Sequence, residues 1–164
     1  MIFVVDIDGT VCDSMERVKE IEGFKEVNPD LWTEKLMSEF LSEENIMKDQ
    51  VMPGAQILFK LAKSCKAPIW FLTGRNEFSI KATRKWLTEV FGASPNAPLI
   101  MRPKDWRGIT TAECKEKLFL KYIFPYFKNF VFFEDEEETI KMYTYYGLVL
   151  KSPDCWKAIG EPDE

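Results

Sequence analysis

Five short apolar runs constrain this chain most: Ile2–Val5, Pro68–Leu72, Pro98–Met101, Phe130–Phe133 and Leu148–Leu150. None alternates with polar residues, which is the pattern of strands buried on both faces of a parallel sheet. Parallel strands cannot be joined by tight turns, so helices must lie between them. Ile80, Thr83, Trp86, Leu87, Val90 and Phe91 recur at helical spacing, with Gly92 placed to close that helix at C′. Leu118, Tyr122, Ile123, Tyr126 and Phe127 predict a second stripe, and Ile140, Tyr143 and Tyr146 a third, closed by Gly147. Pro53 and Gly54 predict the start of a helix running to about Ser64. Alternation of this kind specifies an α/β fold, a doubly wound, mostly parallel, Rossmann-like sheet.

One stretch breaks the alternation. Val11 to Ala67 carries more helix than a single crossover needs, and Trp32, Leu36, Phe40 and Leu41 mark an extra amphipathic helix within it. We expect a single domain over residues 1–164 with a small helical insertion at about 14–50, after the first strand. The acidic tail after Ile159 is expected to fray.

Composition then narrows the chemistry. Hydrophobic residues make up 46% of the 164, enough for one real core. No apolar run approaches the roughly 20 residues that span a bilayer. The apolar start Met1–Val5 is broken at Asp6 without a basic n-region, so neither a membrane partner nor a signal peptide is expected, and a cytoplasmic location is. Histidine is absent, which excludes Ser-His-Asp and Cys-His triads and HExxH zinc sites. Cys12, Cys65, Cys114 and Cys155 are scattered without a CxxC pair and read as free thiols. Acid–base chemistry must therefore come from carboxylates, lysine, tyrosine or cysteine. The net charge of −5 weighs mildly against a long nucleic-acid duplex footprint.

The polar exceptions fall just past the strands, where ligands bind in a doubly wound sheet. Asp6-Ile7-Asp8-Gly9-Thr10 follows the first strand, Thr73-Gly74-Arg75 the second and Glu134-Asp135 the fourth. Lys115 opens the helix leading into the fourth strand, and is preferred over its neighbours Lys117 and Lys121. Carboxylates, a hydroxyl and cations on one sheet edge suit attack on a phosphate ester. A carboxylate attacking that anion needs a divalent metal to neutralise the charge, and oxygen-only ligands favour Mg²⁺. In this scheme Asp6 is the nucleophile, forming an aspartyl-phosphate. Asp8 protonates the leaving oxygen and then activates water. Gly9 allows a tight turn against the phosphate, with the N–H groups of its neighbours, Thr10 among them, turned inward. Thr73 and Lys115 bind phosphoryl oxygens, and Lys115 also keeps Asp6 ionised. Asp6, the Asp8 carbonyl, and Asp135 or Glu134 would hold the metal, Asp135 being the safer of the last two.

Blander readings carry less. A calcium loop beginning at Asp6 needs glycine at its sixth position, where Val11 stands. The run Glu136–Glu138 reads as a solvated helix start. The tryptophans read as packing rather than base-stacking platforms.

FVVDIDGTV, FLTGR, the lysine of KEKLFLKYI and FFED resemble the four motifs of the haloacid dehalogenase superfamily, in order. An acid at the position of Asp8 marks its phosphatases and phosphotransferases. From Ile2 to Leu150, and most strongly from Thr73 onward, the chain is similar to the phosphatase domain of phage polynucleotide kinase-phosphatases. That resemblance implies that Arg75, Arg102 and Arg107 contact a nucleotide phosphate or its surroundings. It implies a nucleotide or polynucleotide 3′-phosphate as substrate, against a small metabolite or mononucleotide as the alternative. A phosphorylated small molecule or nucleic-acid end is thus the expected partner. A non-catalytic phosphate-binding protein on the same fold is disfavoured by the intact Asp6–Asp8 pair. Three positions depart from the phage pattern: Glu134 replaces the first of two aspartates, Glu136 an arginine and Thr111 an acid. No P-loop pattern occurs in these residues.

Overall fold

The structure, a computed structural model, describes residues 1–20 and 34–160. Five parallel strands form the central sheet: β1 (Ile2–Val5), β4 (Ile69–Asn76), β5 (Leu99–Arg102), β6 (Phe130–Glu134) and β7 (Leu148–Lys151). Their order is β5-β4-β1-β6-β7, so the chain starts in the middle, builds one flank and then crosses to the other. This reversal opens a crevice at the carboxyl end of β1. All five expected strands are present; β1 ends where expected, β5, β6 and β7 run one residue further, and β4 runs on to Asn76.

Strand alternation sends successive side chains to opposite faces. Phe3, Val5, Phe71 and Phe133 enter one apolar layer, with Trp86 and Phe91 from the helices. Ile2, Val4, Leu72, Phe130 and Phe132 enter the other, with Leu118, Phe119 and Tyr143. The helices are α4 (Ile57–Cys65), α5 (Ile80–Trp86), α6 (Thr111–Tyr122), α7 (Glu137–Tyr143) and α8 (Asp154–Gly160).

Three expectations are corrected. The stripe from Leu118 leaves the α-helix after Tyr122, because Pro125 has no N–H to continue it; a 3₁₀ turn follows and Tyr126 is exposed. The helix expected at Pro53 begins at Ile57, since Gly54 adopts φ +80° in a turn before it. Gly92, by contrast, takes the left-handed C′ conformation its position predicts, with φ +89°. Finally, the insertion is not helix alone. It rises from a two-stranded antiparallel ribbon, β2 (Cys12–Asp13) with β3 (Gln50–Val51), which pinches its two ends together. Between them lie α1 (Met15–Glu20), α2 (Glu34–Phe40) and α3 (Glu43–Ile46). Leu36 and Phe40 fall on α2 and Leu41 just beyond it, whereas Trp32 and the tail after Gly160 lie outside the described residues.

Candidate active site

Asp6 leaves β1 on the face of Val4, and Glu134 ends β6 on the face of Phe132, so both carboxylates meet above the second apolar layer. Lys115 reaches them from the second turn of α6, not from its first residue as expected. A Thr110–Glu113 capping box fixes that helix start. Lys115 lies three and four residues before the buried Leu118 and Phe119, so its stem shares their inward face. Its Nζ stands 3.0 Å from Asp6 Oδ1 and 2.7 Å from Glu134 Oε2. Lys117 and Lys121 are exposed and lie over the Trp106 and Tyr122 rings instead.

Glu134 is fully occupied as an organiser. Besides Lys115, its other oxygen accepts the N–H groups of Asp135 at 3.1 Å and Glu136 at 3.2 Å. Asp135 then closes the cluster, one of its oxygens lying within 4.8 Å of an oxygen of Asp6 and one of Glu134. Three carboxylates face one ammonium. Burial, and next Glu134, pushes the Asp6 carboxyl up to about 8 against the pull of Lys115. Burial and then Asp6 raise Asp135 to about 6. Burial alone would lower Lys115, but Asp6 and Glu134 outweigh it and hold the ammonium charged. These oxygens suit a hard cation: the ligand atoms are all oxygen and the charge is in excess. The approach is close as well, since a Cβ built on Gly9 would overlap the Asp135 carboxylate, and Gly9 has φ +74°.

Asp8 belongs to a different cluster. Arg75 grips it with both arms of its fork, Nε on Oδ2 and Nη2 on Oδ1, each at 2.7 Å. Arg17, from α1 in the insertion, adds Nη2 to Oδ1 at 3.0 Å. Asp49, just before β3, bonds both arginines from behind, at 3.0 Å to Arg17 and 3.2 Å to Arg75. Cys12 donates its S–H to Asp49 at 3.1 Å. Burial would raise Asp8, but Arg75 and then Arg17 outweigh it and hold the carboxyl at about 2. A third of its side chain remains exposed, leaving room for a ligand oxygen. Neither Arg17 nor Asp49 was identifiable from the sequence. No local pattern marks them, because their partners lie 32 and 26 residues away.

The loop that follows Asp6 and Asp8 is braced from outside. Trp156 Nε1 donates to the Thr10 carbonyl at 2.8 Å, and Ser152 Oγ bonds the Gly9 and Thr10 carbonyls at 3.1 Å. The Gly9 and Thr10 N–H groups are spent on Cys12 and Ile7 carbonyls, so these two residues shape the loop rather than offer donors. Thr10 Oγ1 reaches Asp135 at 3.4 Å. Thr73 is buried within β4, three residues before its end, and its hydroxyl accepts the Arg75 N–H at 3.2 Å while keeping its own proton to donate. Gly74 packs against Thr111, and its carbonyl accepts from Arg102 Nε at 3.3 Å.

The three arginines drawn in by resemblance are dispersed. Arg75 is buried on Asp8. Arg102 turns Nη1 onto the Trp106 and Ile109 carbonyls, at 3.3 and 3.0 Å, bracing the loop after β5. Arg107 is exposed on that same loop.

No protein-family model matches the chain, and no curated protein matches it in sequence. Solved structures do match. A chain from the structure of the Pnkp1/Rnl/Hen1 complex superposes with a TM-score of 0.61 at 17% identity, over 92% of this chain and 45% of that one. This chain thus spans less than half the length of that neighbour. CbbY from Rhodobacter sphaeroides in complex with phosphate gives a TM-score of 0.59 at 13% identity, over 93% and 87% of the two chains. A HAD-superfamily hydrolase from Ehrlichia chaffeensis gives 0.51 at 12%, over 97% and 95%. With the same sheet, and with its acidic loops at the carboxyl edge, the chain has the haloacid dehalogenase-type α/β fold.

Proposed function

We propose that this chain is a Mg²⁺-dependent phosphomonoesterase that works through an aspartyl-phosphate on Asp6, with a nucleotide or polynucleotide 3′-phosphate as its substrate. The observation that carries this reading is the charge-deficient cluster of Asp6, Glu134 and Asp135 around Lys115. Asp6, Asp135 and the Asp8 carbonyl would hold the metal, and Glu134 would act from behind them by fixing Lys115. Bound there, Mg²⁺ offsets the negative charge of carboxylate and phosphate together.

The chain's own residues then divide the work. Lys115 and the bound cation together would hold Asp6 ionised, and the Thr73 hydroxyl would donate to a phosphoryl oxygen. An Asp6 oxygen attacks phosphorus while the bond to the leaving oxygen breaks. Asp8 gives that oxygen a proton, then takes one from the water that cleaves the acyl-phosphate. Without substrate Asp8 is a carboxylate held by two arginines; an adjacent phosphate dianion opposes them and strengthens its hold on a proton. The neighbours add support for the substrate class: one is described as part of an RNA repair complex and another as bound to phosphate.

A second reading, a small-metabolite or mononucleotide phosphatase, is favoured by the inward commitment of the basic residues. Arg75, Arg84, Lys85 and Arg102 all have protein acceptors, and of the cations near the site Lys85, Lys104 and Arg107 are exposed. The test is hydrolysis of p-nitrophenyl phosphate with and without Mg²⁺, followed by a panel of 3′-phosphorylated oligonucleotides, mononucleotides and sugar phosphates. No turnover of any of them would end the phosphatase reading.

A further inference from the structure

The insertion is tied into the site through one side chain. Arg17 is fully buried, and each arm of its guanidinium has an acceptor. Nε bonds Asp49 at 3.0 Å, Nη2 bonds Asp8 at 3.0 Å and Nη1 bonds the Phe40 carbonyl at 2.9 Å. These contacts fix the rim of the plane. Its flat side is set by the Phe40 ring, whose centroid lies 4.0 Å from the Arg17 Cζ. Phe40 is the last residue of α2 and belongs to none of the loops that carry reacting groups.

A guanidinium bonded at its rim can still tilt about those bonds, and water can reach an uncovered side. An aromatic ring on that side removes both freedoms and favours the cation electrostatically. Because Arg17 shares Asp8 Oδ1 with Arg75, a tilt of Arg17 turns the Asp8 carboxylate. We propose that Phe40 is a positioning residue for Asp8, acting through the plane of Arg17, so that the insertion is a working part of the site. This rests on the phosphatase reading above, in which Asp8 protonates the leaving oxygen.

Two properties separate this role from plain packing. It depends on the ring, not on the volume, and it bears most on the step in which Asp8 donates a proton to the leaving oxygen. Phe40→Leu and Phe40→Met keep apolar bulk without a π face, and the main-chain bond from Arg17 survives both. Phe40→Tyr keeps the face. The probes are p-nitrophenyl phosphate, whose leaving group needs little protonation, and phenyl phosphate, whose leaving group needs more. Phe40→Leu should lower kcat on phenyl phosphate about tenfold, or about 1.4 kcal/mol, and on p-nitrophenyl phosphate by less than about twofold. Phe40→Tyr should restore both. Should the leucine variant fail to fold, as judged by urea melts, Phe40→Met carries the comparison. Equal losses on the two esters, no loss, or failure of tyrosine to restore the rate would overturn the proposal. A wild type inactive on both esters with Mg²⁺ would instead remove the phosphatase reading beneath it.

Discussion

Asp6 and Asp8 stand two residues apart on one loop and end in opposite electrostatic situations. Asp6 joins Glu134 and Asp135 around a single lysine, three carboxylates against one ammonium, and its carboxyl is pushed up to about 8. Asp8 joins Asp49 between two arginines, two against two, and is held at about 2. In each cluster three potential ligand atoms lie within 4.8 Å of one another, three carboxylates in the first and Asp8, Cys12 and Asp49 in the second, so proximity alone marks both as cation sites. Charge balance separates them. The Asp6 cluster lacks positive charge; the Asp8 cluster is already neutralised by guanidinium groups that fill its interior. Strand geometry sets up the division, since Asp6 continues the Val4 face while Thr73 and Arg75 continue the Phe71 face.

The comparison breaks most severely at the nucleophile. Asp6→Asn is nearly isosteric but cannot attack phosphorus, so turnover should fall to below about one per cent with the fold intact. More than a few per cent of residual rate, measured on p-nitrophenyl phosphate, would remove Asp6 from that role.

Next in size is the lysine that alone balances three acids. Lys115→Met leaves Asp6 and Glu134 buried without their cation, a change that costs about 3–5 kcal/mol for a broken buried pair. Mg²⁺ should return part of that loss, because it supplies the missing charge. Urea melts with and without Mg²⁺ check both statements. A variant as stable as wild type would mean that the acids are relieved by protonation instead.

Smaller, but more discriminating, is the response of the melting temperature to metal. At about a hundredfold excess over its Kd, a ligand adds about 2.7 kcal/mol to stability, or roughly 5–10 °C for a chain of this size. Asp135→Asn should abolish that shift, whereas Asp49→Asn should retain it, although the latter protein melts lower throughout. A shift lost in Asp49→Asn and kept in Asp135→Asn would place the cation in the wrong cluster.

How much of this was legible beforehand follows from what kind of signal each residue leaves. The strands were, because burial on both faces removes polar residues from them altogether. Asp6, Asp8, Thr73, Glu134 and Asp135 were noticed as polar residues directly past apolar strands. Lys115 was separable in principle from Lys117 and Lys121, because it alone precedes both Leu118 and Phe119 on the buried face. Arg17 and Asp49 were not legible. A buried arginine and a buried aspartate look like solvated surface charges until the fold brings them together across 32 residues. The end of α6 was overrun for a simpler reason: Pro125 was passed over in favour of the apolar spacing around it.

The mildest prediction concerns the mouth of the site, and it decides between the two substrate readings. The resemblance implies that Arg102 contacts a nucleotide phosphate or its surroundings, but its donors hold the Gly74, Trp106 and Ile109 carbonyls. Arg102→Ala should therefore loosen the loop that packs behind Thr73-Gly74-Arg75 and slow every substrate alike. Lys104 and Arg107 lie exposed on the same loop, where the chain flanking a 3′-phosphate would pass. Replacing these two with alanine should raise KM for a 3′-phosphorylated oligonucleotide about three- to tenfold, with p-nitrophenyl phosphate unchanged. The salt dependence provides a second readout. Each phosphate contact on a single strand contributes about 0.7 to the slope of log affinity against log salt. If both residues touch phosphates, the double variant should lose about twice that amount from the slope. If neither residue touches a phosphate, neither the slope nor the ratio of the two KM values would move. That outcome, on an acidic protein whose other arginines face inward, would leave the small-metabolite phosphatase as the better description.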